Sequence, residues 1–304
     1  MSDKKDCSPE ATCETCGSST SCDAAAKAKH VEEVMKNKLS MIKHRLVVMS
    51  GKGGVGKTTV SVNLAVALAR SGRNVGLFDA DVHGPNVPKM LGIDGTVPGM
   101  GPNGLIPVVA QENLKVISMA FMIENPDTPV VWRGPMKHSL FQQFICDVDW
   151  GPLDYLIVDL PPGTGDEPLS IAQLLGKPLW AIIVTTPQDV ALLDSRKSVG
   201  FARTLDMKVL GIVENMSGLV CPHCGGSIDL FKTGGGVKSA AEFGVPLLGV
   251  IPIDPQIVIA GDSGRTVEKV SPDGHSAESF RELGEKVHAA VWVDHSNAHT
   301  GSSQ

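Results

Sequence analysis

Aromatic side chains are scarce in this chain: they make up 4% of its 304 residues, and there is one tyrosine. A protein that stacks unpaired bases on exposed rings needs more of them than this. Positive charge is not in excess either. The 27 lysines and arginines are outnumbered by 33 aspartates and glutamates, giving a formal charge of −6. That is the wrong sign for general attachment to nucleic acid or to an anionic membrane. No apolar run is long enough to span a bilayer, and the opening stretch MSDKKDCSPEATC has no apolar signal core. Together these absences predict a soluble, cytoplasmic protein without a nucleic-acid or membrane partner.

Cysteine, by contrast, is present seven times, with Cys7, Cys13, Cys16 and Cys22 all in the first 22 residues. Cytosolic thiols are kept reduced, which favours metal or redox chemistry over a disulfide framework. Most of these cysteines lie among Gly, Ser and Pro, the surroundings of a loop. Cys146 differs: it sits in the apolar helical stretch SLFQQFICDV and reads as a buried structural thiol.

The chain divides into three parts. Residues 1–25 carry the four clustered cysteines and too few large apolar residues to fold on a core of their own. Residues 26–292 alternate short apolar runs with amphipathic stretches. RLVVMS, NVGLFDAD, DYLIVDL, LWAIIVTT, KVLGIVENM and PLLGVIP read as strands, and LIPVVAQENLKVISMA as a hairpin. Helices are predicted over AAAKAKHVEEVMKNKLS, TTVSVNLAVALARSG, MKHSLFQQFICDV, DVALLDSRKSVGFARTLD and SAESFRELGEKVHAAV. Strands of near-continuous apolar character alternating with helices predict an α/β fold, a mostly parallel sheet with helices on both faces. A polar tail, 293–304, is expected to be disordered.

Gly51, Gly56, Lys57 and Thr58 satisfy G-x-x-x-x-G-K-[ST], between a predicted strand and a predicted helix. Glycines there let backbone N–H groups turn onto phosphate oxygens at the positive end of the helix. Lys57 would neutralise the β/γ-phosphates, and the Thr58 hydroxyl would ligate Mg²⁺. Asp159 closes the strand DYLIVDL and is placed to act as the acid near Mg²⁺. The glycine-rich PPGTGD after it has the composition of a switch loop. Asp79 and Asp81 end another strand, so three carboxylates converge on one edge of the sheet. One of them could orient or deprotonate an attacking water.

The loop KGGVGKTT resembles the deviant phosphate loop of the MinD/ParA/nitrogenase-iron-protein class. DADVHGPN, VVWRGPM, YLIVDLPPGTGD, TTPQDVAL, VENMS and CPHC together resemble the Mrp/Nbp family of iron–sulfur cluster carriers, over about residues 30–291. The resemblance implies a P-loop ATPase that binds ATP and Mg²⁺ through Gly51, Gly53, Gly54, Val55, Gly56, Lys57, Thr58 and Thr59. It implies that Lys52, the second lysine of the loop, reaches the nucleotide of a partner subunit in a homodimer. Asp81 matches the water-activating carboxylate of the class, Asp79 its neighbour near Mg²⁺, Asp159 the strand-end acid and Asn215 the residue that meets adenine. Arg133 and Gln188 fall in family-like segments without an assigned chemistry.

Cys221 and Cys224 form a CxxC pair, which supplies two of the four ligands of a zinc or cluster site. Two such pairs meeting on a two-fold axis would complete the set, and the resemblance implies a bridging [4Fe–4S] cluster there. A zinc ion shared by the dimer, or a redox dithiol, uses the same residues. Cys7, Cys13, Cys16 and Cys22 are spaced C-x5-C-x2-C-x5-C, enough thiolates for a second centre within one chain. The last three resemble the N-terminal [4Fe–4S] motif of the cytosolic Nbp-type scaffolds. The gap after Cys7 is shorter than in that motif, and zinc remains an alternative here too. The expected function is to hold a cluster and pass it to apo iron–sulfur proteins under the control of slow ATP hydrolysis. The alternative is a MinD/ParA-like spatial-organising ATPase with structural zinc at its cysteines.

Overall fold

A computed structural model describes residues 24–82, 84–122, 134–221, 224 and 226–300. Cys7, Cys13, Cys16, Cys22 and Arg133 lie outside the described residues. The strands are β1 (Ile42–Met49), β2 (Val75–Asp79), β3 (Gly99–Gly101), β4 (Gly104–Ile106), β5 (Val108–Gln111), β6 (Leu114–Ser118), β7 (Leu153–Asp159), β8 (Trp180–Thr185), β9 (Lys208–Glu214), β10 (Leu219–Val220), β11 (Ser227–Ile228) and β12 (Leu247–Val250). The helices are α1 (Ala24–Ser40), α2 (Lys57–Arg70), α3 (Val87–Leu91), α4 (Gly134–Cys146), α5 (Asp166–Leu175), α6 (Asp189–Thr204), α7 (Gly235–Phe243), α8 (Pro255–Asp262), α9 (Val267–Val270) and α10 (His275–Thr300).

Eight strands form one sheet in the order β12-β9-β8-β1-β7-β2-β6-β5. Every neighbouring pair is parallel except β5–β6, the hairpin, whose turn uses Asn113 at φ 60°. Burial on both faces explains why β8 (WAIIVT) has no exposed position. Alternate residues of β1 feed two separate cores. Leu46 and Val48 pack with α2 and with Phe280, Leu283 and Val287 of α10, whereas Val47 and Met49 pack with Phe141 of α4, Ile171 of α5 and Val199 of α6. Cys146 is buried at the end of α4, as its apolar neighbours predict.

Several elements depart from the sequence reading, and the helices α3, α5, α7, α8 and α9 have no counterpart in it. The last helix runs on to Thr300, through residues expected to be disordered. No Pro interrupts it, and no Gly stands between Glu285 and Thr300 to stop it. The short hairpins β3–β4 and β10–β11 were not legible either, because strands of two or three residues leave no alternation to read.

The strand order fixes where a ligand can bind. The chain leaves β1 toward β2 on one side of the sheet and crosses from β7 to β8 on the other, so β1 marks a topological switch point. In open parallel sheets the crevice outside the carboxyl ends at such a point is the binding site.

Candidate functional site

At that crevice β1 runs into the phosphate loop and then α2. Gly54 and Gly56 both have φ 79°, the left-handed region that glycine enters without a steric penalty. Gly56 is also a close approach: a Cβ there would collide with the Asn215 amide. Gly51 is constrained differently, by the backbone carbonyl of Asp194 in α6, which a Cβ would strike. Gly53 has open space around it, with Pro162 Cγ nearest at 4.0 Å. Val55 is buried, and its carbonyl accepts from Asn215 Nδ2 at 2.9 Å. The Ser50 hydroxyl donates to the Lys52 carbonyl (3.0 Å), and the Thr59 carbonyl accepts from Asn63.

Asp159, at the end of β7, has no exposed surface and gathers three donors. Lys57 Nζ lies 2.6 Å from Oδ1, Ser61 Oγ lies 2.7 Å from the same oxygen, and Thr58 Oγ1 donates to Oδ2 at 2.7 Å. A buried carboxylate tolerates removal from water only with partners of this kind. Ser61 was missed in the sequence, although it stands one helical turn after Lys57 and so shares its face.

Asp79 is the register partner of Asp159 across β2 and β7. Its Oδ2 accepts from Ser118 Oγ (2.9 Å) and Val87 N–H (3.2 Å), and its Oδ1 from Asp81 N–H (3.3 Å). Complete burial, reinforced by the negative charge of Asp159, pushes the Asp79 carboxyl from 3.8 up to about 8, against the hydrogen bonds from Ser118 and Val87 and the charge of Lys57. Asp81 follows β2, half-buried, and accepts from Gly84 N–H at 3.3 Å. The structure therefore gathers Lys57, Thr58, Asp79, Asp81, Asp159 and Asn215 at one edge. Lys52 is half-buried on the same loop.

Mg²⁺ and a nucleotide fit these groups: the left-handed glycines open backbone N–H groups at the start of α2, and Thr58 and Asp159 present hard oxygens beside them.

Cys221 and Cys224 lie at the tip of the β10–β11 hairpin, which Cys221 N–H closes by donating to the Gly226 carbonyl at 2.9 Å. Cys221 is half-buried, Cys224 is exposed, and neither is in a disulfide. Among the described residues no group of three or more His, Cys, Asp or Glu side chains could hold a metal ion. Nor is any helix among them long and apolar enough to cross a membrane.

Residues 41–288 match the ParA family described as NUBPL iron-transfer P-loop NTPase. The chain belongs to this family. It is 46% identical over 276 residues to an iron-sulfur cluster carrier protein of Methanocaldococcus jannaschii, covering 90% of this chain and 94% of the relative. It is 43% identical over 253 residues to the cytosolic Fe-S cluster assembly factor NUBP2 of Bos taurus, covering 82% and 93%. Among solved structures, the nucleotide-binding protein of Archaeoglobus fulgidus in complex with ADP superposes with a TM-score of 0.71 at 37% identity, covering 82% of this chain and 96% of that one. MinD of Pyrococcus horikoshii, complexed with Mg-ADP, superposes at 0.58 with 25% identity, covering 80% and 95%. The α/β P-loop fold predicted from the sequence is thus shared by this family member and its structural neighbours.

Proposed function

We propose that this protein is an ATP-binding iron–sulfur cluster carrier, which holds a [4Fe–4S] cluster between the Cys221/Cys224 pairs of two chains and passes it to apo-proteins. The observation that carries this reading is a pair of accessible thiols at the tip of a hairpin, on a chain with a complete phosphate loop and close relatives named as cluster carriers. Two thiolates per chain are half a cluster's ligand set. Transfer is ligand exchange: recipient thiolates replace those of Cys221 and Cys224 on iron, with no net redox change. An exposed tip gives the incoming thiolates access.

A homodimer is supported by exposed apolar side chains on the elements beside the same hairpin. Val190 and Leu193 of α6, Leu230 of the hairpin segment and Val237 of α7 are 67%, 60%, 57% and 53% exposed. Lys232 ties that segment to α6 through Asp189 at 2.9 Å. A partner seated there would bring Lys52 toward the opposing nucleotide, making the nucleotide part of the interface. In hydrolysis, a water oxygen bonds to the γ-phosphorus, the β–γ bridging bond breaks, and Asp81 accepts the water's proton. Mg²⁺, when bound, neutralises charge on the β/γ-phosphates. Lys57 and the loop N–H groups hold the phosphates, and Asn215 meets the adenine. Slow turnover then changes dimer geometry and cluster affinity. The segment with Cys7, Cys13, Cys16 and Cys22 would hold a second [4Fe–4S] cluster, and the protein would work in the cytoplasm.

The test is to measure iron, acid-labile sulfide and zinc in anaerobically purified protein. The measurement covers wild type, Cys221→Ala, Cys224→Ala and a form lacking residues 1–25. Iron and sulfide in equal amounts, reduced but not lost on truncation and reduced in each cysteine variant with ATP binding intact, support the reading. Zinc without sulfide would refute the cluster and leave the ATPase.

A further inference from the structure

Glu214 ends β9 with its side chain 1% exposed, and nothing in the nucleotide chemistry requires it. Three donors converge on its carboxylate: the Ser217 hydroxyl, the Gly234 N–H at 3.1 Å and the Gly236 N–H. Ser217 begins the segment that carries Cys221 and Cys224, and Gly234 and Gly236 end it. One buried carboxylate therefore fastens both feet of the cysteine hairpin. The fit is close, since a Cβ on Gly236 would lie 2.7 Å from Glu214 Cβ. Backbone bonds secure the first foot again: Ile251 N–H donates to the Glu214 carbonyl (2.8 Å), and Ser217 N–H donates to the Ile251 carbonyl (3.0 Å).

The next residue, Asn215, is bonded to the phosphate loop through Val55. It is also fixed to β8, its N–H donating to the Thr185 carbonyl at 2.8 Å. Two consecutive residues at one strand end thus hold the nucleotide loop and both feet of the thiol hairpin. Met216 follows at φ 57°, a left-handed conformation that is costly for a residue with a side chain. Such conformations persist where neighbouring bonds enforce them, and they gather at switch regions.

We propose that Glu214 is the positioning residue that couples occupancy of the phosphate loop to the geometry of the Cys221/Cys224 hairpin. This deepens the carrier reading and rests on it for the identity of the cargo. When a nucleotide draws on the Asn215–Val55 contact, the end of β9 moves with it, and Glu214 carries that displacement to both feet of the hairpin at once. Capping α7 alone would need one acceptor; a carboxylate reaching Ser217 as well joins the helix start to the hairpin's other side.

The test uses the metal-free, reduced full chain and follows alkylation of Cys221 and Cys224 by peptide mass spectrometry, with and without saturating Mg·ATP. In wild type the nucleotide should change the labelling rate by about fivefold or more, the lower end of ordinary site-to-site coupling. In Glu214→Gln the rate ratio should fall to near one while nucleotide affinity is retained. Ser217→Ala, which removes one foot bond and leaves α7 fastened, should give an intermediate ratio and guards against a misfolded Glu214 variant. An unchanged ratio in both variants overturns the proposal, because a merely loosened hairpin would label faster in both states and keep its response to ATP. A wild-type hairpin indifferent to bound ATP overturns it as well. Absence of iron and sulfide in wild type, with the labelling ratio still abolished by Glu214→Gln, would remove the cargo reading and leave the coupling in place.

Discussion

Replacing Asp79 with Asn should make the nucleotide-free protein more stable at alkaline pH and less stable at acid pH. In the folded chain the Asp79 carboxyl is raised from 3.8 to about 8 by burial and by Asp159. The native state therefore binds one more proton than the unfolded chain between those two values. Because stability falls with pH wherever the native state holds more protons, Asp79 weakens the fold progressively from about pH 4 to pH 8. At about 1.4 kcal/mol per pH unit, the accumulated cost at pH 9 is on the order of 6 kcal/mol, and at pH 7 about 4 kcal/mol. Asn has no proton to lose, but its amide group opposes one of the three donors that Asp79 now accepts, a loss of about 1–2 kcal/mol. The two stability curves should therefore cross between pH 4 and 6. Urea unfolding of both proteins, followed by circular dichroism in chelator without nucleotide, measures the difference and cancels the groups that do not interact with Asp79. Parallel curves from pH 5 to 9, or a wild type that gains on the variant as pH rises, would refute the assignment of the proton to Asp79.

Lys57→Ala should abolish nucleotide binding and also destabilise the apo fold by about 3–5 kcal/mol, because Asp159 is left buried without its cation; calorimetric titration and unfolding measure the two effects. Gly51→Ala should cost about 1–3 kcal/mol by forcing α6 away from the loop, whereas Gly53→Ala, with open space, should be near neutral. Equal stabilities would show that the Asp194 contact is not limiting. Lys52→Ala should fold and bind nucleotide normally yet lose ATP hydrolysis, and unchanged turnover would count against its action on a partner's nucleotide.

The phosphate loop and the strand-end aspartates were legible because each is a contiguous stretch with its context beside it: a strand, a turn, a helix. Ser61 and Ser118 were not, since each gains its role from a carboxylate far away in sequence and near only after the sheet forms. Glu214 stood in plain view within VENMS, but its partners Gly234 and Gly236 come from the far side of the hairpin. Gly51 reads as a phosphate-loop glycine, and its contact with α6 is invisible until the two elements pack. The end of α10 was misread for a simpler reason: polar composition was taken for disorder where nothing in the chain breaks a helix.

The hairpin that carries Cys221 and Cys224 has one more consequence. Under the shared-cluster proposal, a cargo that demands four thiolates finds only half of them in the hairpin of one chain. Loading is then second order in protein, and dilution alone is enough to unload it. Such a carrier would sense its own abundance: plentiful chains would retain clusters, and scarce ones would surrender them to whatever competent acceptor stood nearest.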